Sequence, residues 1–155
     1  MAIRPRPTLG RATALRPATY AGIAAAVVSI GAAFLIRQVP SMEGVVGMGH
    51  LVATSLLYAT GGALAARLGA AGWRAGLFAG LIDALVGHAI AFFVAPPPDP
   101  STIAAPVGRV VTPELAASIH LWGAVTGAVM AVIIGAAAGW AGARYVQQMG
   151  KVRGP

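Results

Sequence analysis

The sequence predicts an all-α, polytopic membrane protein with four transmembrane helices and both ends on the cytoplasmic side. Three observations predict it. Of the 155 residues, 57% are hydrophobic and only 10% charged, against roughly 25% charged in a soluble domain. The few charges are spaced apart: Pro17 to Ile36, Gly44 to Ala66 and Leu115 to Ala143 carry none, and Ala75 to Ala95 carries only Asp83. Each stretch reaches the roughly 20 apolar residues that a helix needs to cross a bilayer core. Finally, with four spans the Lys and Arg residues divide nine to two between the two sides, and the basic side of a membrane protein is the cytoplasmic one.

In chain order, residues 1–16 form a basic tail holding Arg4, Arg6, Arg11 and Arg16, followed by a transmembrane domain over residues 17–145. The first span is expected over 18–36; no small-x-small cleavage site follows it, so it is expected to stay on the protein. A short external turn, Arg37 to Glu43, leads to the second span at 45–67. The cytoplasmic turn Leu68 to Gly72, flanked by Arg67 and Arg74, is too short for anything but an antiparallel pairing with the third span at 74–95. The external segment 96–113 opens with Pro96-Pro97-Pro98-Asp99-Pro100, which favours extended polyproline geometry over helix. Thr112-Pro113-Glu114 then reads as a helix start, with a capping hydroxyl, a proline in the first turn and an acid at the positive dipole end. The fourth span is expected over 115–141, and residues 146–155 form a second cytoplasmic tail with Lys151 and Arg153.

Lipid is as apolar as leucine, so helices associate in a bilayer through close backbone approach at small residues. Gly123, Gly127, Ala131, Gly135, Gly139 and Ala143 recur at every fourth position of the last span. On a wheel of the third span, Gly76, Gly80 and Gly87 share a face with Asp83, Ala84, His88 and Ala91, while Phe78, Leu81, Ile82, Leu85, Val86, Phe92 and Phe93 lie opposite. The glycine faces are the expected helix-packing surfaces.

Asp83 is the one acid inside a span, and intramembrane acids mark ion paths or buried polar contacts. Counted by depth, Tyr58 and Thr60 of the second span are its expected neighbours. His50, His88 and His120 all fall in the outer half of their spans at similar depth, with Met42 and Met48 on the same side. Neutral imidazole ligates haem iron or chlorophyll magnesium, and thioether sulfur beside imidazole suits copper, so His50, His88 and His120 are candidate cofactor ligands and Met48 with His50 a candidate metal pair. Ala84-x-x-x-His88 and Ala116-x-x-x-His120 also resemble the Ala-x-x-x-His arrangement by which bacterial antenna helices ligate chlorophyll.

The +7 net charge flanks apolar segments and lines no soluble face, which argues against a nucleic-acid partner. There is no cysteine, hence no thiolate chemistry. No P-loop, Rossmann fingerprint, paired-carboxylate set or His-Glu-x-x-His motif is present, so no catalytic residues are assigned. Three readings stay open: a non-catalytic accessory or structural subunit of a larger membrane complex or homo-oligomer, a binding protein for haem, chlorophyll or copper, and a small proton- or cation-coupled transporter using Asp83. The excess of Arg over Lys and the Ala/Gly bias point to a GC-rich bacterial genome, and together with the four expected spans to a bacterial cytoplasmic membrane.

Overall fold

A computed structural model describes residues 11–95, 97–101, 103 and 110–152. Arg4, Arg6, Arg109 and Arg153, which enter the charge count, lie outside the described residues. The chain is helical throughout its described elements. Helix α1 spans Arg11–Gln38 and, after a 3-10 turn at Pro40–Met42, α2 spans Glu43–Arg67. Helix α3 runs over Gly72–Val94, and α4 is a single helix of 40 residues, Pro113–Val152. Helices α1, α3 and α4 are long and apolar enough to cross a membrane. Helix α2 is long but falls short in apolarity, because His50, Thr54, Ser55, Tyr58 and Thr60 dilute its hydrocarbon.

Local chemistry sets the helix ends. Arg11 to Arg16, expected in a tail, are already helical. Helix α2 closes in a Schellman turn: Gly69 takes φ 86°, and the Ala70 and Gly69 amides donate to the Ala65 and Ala66 carbonyls. Only a residue without Cβ adopts that φ at no cost, which is why a two-helix hairpin is cut at this glycine. Helix α4 opens as expected, the Thr112 hydroxyl oxygen accepting from the Leu115 amide at 3.3 Å ahead of Pro113 and Glu114. It then continues past residue 141 to Val152, a length of about 60 Å at about 1.5 Å per residue.

Neighbouring helices in the chain run antiparallel. Ser29 of α1 meets His50 of α2 near one end while Ala21 meets Gly61 nearer the other, and Gly80 and Gly72 of α3 meet Ala131 and Ala143 of α4 in the same opposed order. Helices α2 and α3 form the short diagonal of the bundle, with α1 on one side of them and α4 on the other, and the backbones of α1 and α4 do not approach each other.

The interior is built from Ala and Gly. Ala18, Ala25, Ala65, Ala75 and Ala79 are fully covered, while Phe78, Leu81, Leu85, Val86 and Phe93 of α3 face outward. A Cβ on Gly76 would overlap the Gly135 carbonyl oxygen, and one on Gly62 would overlap Gly139. Gly80 meets Ala131 and Gly139 meets Gly72 and Gly76 in the same way. Gly87 packs instead on α1, against Ala26 and Ser29. The stripe on α4 ends before Gly123, where a Cβ would meet nothing within 4 Å, so Gly123 is not a packing residue. Toward that end α3 and α4 separate, and side chains take over: Gly127 faces the His88 ring.

Candidate functional site

Between Ile82 and Ala89 the third helix changes character. Asp83–His88 forms a π-helical segment, whose backbone bonds run from i to i+5. In an α-helix, five residues sweep about 500° and would leave Asp83 and His88 about 140° apart. The wider π turn brings both onto the side that faces α2, and both line one cavity there.

Asp83 is completely buried near the middle of α3. Its two carboxyl oxygens are served by two other helices. The Ser29 hydroxyl of α1 donates to Oδ1 at 2.7 Å, and the Tyr58 hydroxyl of α2 donates to Oδ2 at 2.5 Å. Asp83 and Tyr58 are the largest fully buried side chains among the described residues. An interior otherwise made of small residues, mostly Ala and Gly with Ser29 and Thr54, therefore encloses its two bulkiest groups as a bonded polar pair.

The network continues outward. His50 Nε2 lies 2.8 Å from Ser29 Oγ. A serine has one proton to give, and Ser29 directs its own at Asp83, so at this contact its oxygen accepts and His50 Nε2–H donates. The His88 ring stands next, its centroid 6.0 Å from that of His50. Thr54, one turn from both His50 and Tyr58, spends its hydroxyl on the His50 and Leu51 carbonyls of its own helix. A cavity of about 260 Å³ opens against this face, lined by His50, Thr54, Tyr58, Asp83 and His88 and closed by Met130, Ala131 and Ile134 of α4.

Several candidate residues fall elsewhere. Thr60 is exposed and bonds the Leu56 carbonyl at 2.8 Å; it does not reach Asp83. Its depth is right but its direction is wrong, since residues two apart on a helix point to different sides. The same geometry separates Met48, which is exposed, from His50, so the two do not form a metal pair. His120 stands apart from the other histidines. It stacks on Phe92 with a centroid separation of 4.7 Å and its Nε2–H donates to the Phe92 carbonyl at 3.1 Å. Arg37 Nη1 donates likewise to the Val94 carbonyl at 3.3 Å. Both serve the last carbonyls of α3, which have no partner within the helix. The three histidines thus provide no common ligand set, and among the described residues no group of three or more His, Asp or Glu is gathered as a metal site.

Ser29 is the residue of this network that motif reasoning passes over. Its signal in the sequence is plain once sought: from Ala21 to Ile36 it is the only polar side chain. Comparison with protein families, characterised proteins and solved structures finds no match to this chain.

Proposed function

We propose that this chain is a four-span protein of a bacterial cytoplasmic membrane, both ends cytoplasmic, acting as a non-catalytic subunit whose buried Asp83 binds and releases a proton. The observation that carries the proposal is the placement of Asp83. A carboxyl group in the bilayer interior is costly as an isolated charge, yet this one is held by donors from two further helices. No Lys or Arg lines the cavity, so the groups able to balance its charge are His50 and His88. Proton occupancy then alters the bonds that join α1, α2 and α3 at one point.

The bundle's two halves support a binding role over a conducting one. The cavity lies on the half that carries Ser29, His50 and His88. In the other half α2, α3 and α4 are sealed against one another by backbone contact at Gly62, Gly72, Gly76 and Gly139, and the cavity there lies between α1 and α2 instead. Arg16, Arg67, Arg74 and Arg144 mark the sealed pole, where Arg74 and Arg144 also lie over Trp73 and Trp140. Basic residues at the interface support assigning that pole to the cytoplasm, which puts the cavity in the outer half of the bundle. The exposed face of α4, with Trp122, Val125, Val129 and Ile133, is available to lipid or to a further subunit.

The test is infrared difference spectroscopy of the protein in liposomes as the external pH is stepped from about 3 to about 9, a range bracketing ordinary carboxyl and imidazole titrations. A carboxyl band that titrates in the wild type and is missing in Asp83→Asn is expected, without proton flux to the lumen. A wild-type spectrum with no such band overturns the proposal. The second reading, coupled transport, draws on the cavity beside Asp83; flux lost in Asp83→Asn would select it.

A further inference from the structure

We propose that the proton reaches Asp83 by a fixed route, from the cavity to His88, then His50, then through the Ser29 hydroxyl. The proposal rests on the reading that Asp83 exchanges a proton, and adds the path. Asp83 borders the cavity but presents no exposed surface, and each of its oxygens already accepts from a hydroxyl donor, so direct protonation from the cavity would have to displace one of those donors. The imidazoles of His50 and His88 are only partly buried and do line the cavity. Ser29 is the one side chain that touches both His50 and Asp83.

The transfer balances at each atom. With His50 as imidazolium and Asp83 as carboxylate, the Nε2–H bond of His50 breaks and its proton forms a new O–H bond on Ser29. At the same time the original Ser29 O–H bond breaks and that proton forms an O–H bond at Asp83 Oδ1. A charge pair becomes two neutral groups, and both hydrogen bonds reverse direction with the heavy atoms at 2.8 and 2.7 Å throughout. His50 is charged beforehand by His88, whose ring centroid stands 6.0 Å away: an N–H bond of the His88 imidazolium breaks, the proton passes through a bridging water, and a new N–H bond forms at the free Nδ1 of His50. The titratable groups facing this path are His50 and Tyr58 from α2 and His88 from α3; α1 contributes only Ser29, and α4 presents Gly127, Met130, Ala131 and Ile134, none of which titrates.

The rate at which the Asp83 carboxyl band appears after a rapid external pH drop reads this path. In Ser29→Ala the band is expected to reach its wild-type amplitude at least about a hundredfold more slowly, the lower end of the scale on which losing a proton-transfer group slows a reaction. Ser29→Thr, which keeps the hydroxyl, is expected to restore the rate. His50→Gln keeps an N–H donor for Ser29 but carries no transferable proton, and is expected to slow the band to the same degree. It also serves if Ser29→Ala does not fold. A wild-type rate in both Ser29→Ala and His50→Gln overturns the route while leaving Asp83 exchange standing. Slowing confined to Tyr58→Phe overturns it in favour of entry through the phenol. Absence of the band in the wild type overturns route and function together.

Discussion

Tyr58 and Thr60 sit two residues apart on α2, and the bundle treats them in opposite ways. The Tyr58 hydroxyl serves a buried carboxyl oxygen, whereas Thr60 faces outward and bonds its own helix. Tyr58→Phe removes one donor and leaves Asp83 Oδ2 buried without it, a change expected to cost about 1–3 kcal/mol. Thr60→Val is expected to stay within about 0.5 kcal/mol of the wild type, as surface changes do. Thermal unfolding of both variants in the same detergent measures the difference, and equal losses would contradict the assigned directions. Depth along a helix is legible in sequence because each residue adds a fixed rise, and this located Asp83 and Tyr58 together. Direction is legible only when the face is tracked as well, which Thr60 and Met48 required. Ser29 needed a different kind of attention, to a lone hydroxyl in an apolar run. Outside the bundle, Asp99 gives a pH signature. The Ser101 amide and hydroxyl donate to its Oδ1 at 2.8 and 2.7 Å and hold its carboxyl below the ordinary value. A lowered folded value means that the contact supports this loop above the ordinary aspartate range and lets go as pH falls through the lowered one. Ser101→Ala is expected to move the Asp99 titration upward, read by NMR of its carboxyl carbon.

Within α3 and α4 the glycines divide by what they touch. Gly76 lies against the Gly135 carbonyl with no room for a methyl group, while Gly123 faces open space. Gly76→Ala is therefore expected to push the two helices apart at a cost of about 1–3 kcal/mol, and Gly123→Ala to leave stability unchanged or raise it slightly through helix propensity. Chemical denaturation in mild detergent distinguishes them; a neutral Gly76→Ala would mean that α3 and α4 are less closely joined than their backbones indicate. The fourfold spacing on α4 was legible because an α-helix repeats nearly every fourth residue, but it carries no information on where two axes diverge. That is why Gly123 belongs to the pattern and not to the contact. The π segment of α3 is the element that periodicity conceals. A wheel drawn at a constant 100° per residue put Asp83 and His88 at opposite edges of one face, and a single wider turn draws them together. Gly87 stands at this turn, where a Cβ would overlap Asp83 Oδ1 and press on Ala26 of α1. Gly87→Ala is expected to displace the Asp83 carboxyl from Ser29 and to weaken its infrared signature more than its helix content, as compared by circular dichroism.

For the molecule as a whole, what the sequence distributes is polarity, and the structure reveals where it is concentrated. The three most apolar helices needed only a count of uncharged residues, and they are the three long and apolar enough to span a bilayer. The second is less apolar because it carries much of the site: His50, Thr54 and Tyr58 follow one another at every fourth position on its inner face. A helix of this kind is stable across a membrane when its polar face is covered by neighbours, and α1, α3 and α4 all pack on α2. The four-span arrangement therefore makes a joint demand: if α2 crosses, the turn at Pro40–Met42 and the loop at Ser101 lie on one side, and the end of α4 lies on the other. The absence of cysteine makes this directly measurable, since every introduced thiol is the sole one in the chain. Ser41→Cys and Ser101→Cys, both exposed, are expected to react with a membrane-impermeant maleimide on intact cells. Gln148→Cys, exposed beyond the sealed pole on α4, is expected to react only after permeabilisation. Labelling of Ser41→Cys and Gln148→Cys from the same side would place α2 out of the membrane, whereas Gln148→Cys reacting on intact cells and Ser41→Cys only after permeabilisation would invert the bundle; in either case the cavity beside His50 and His88 would no longer be assigned to the outer half.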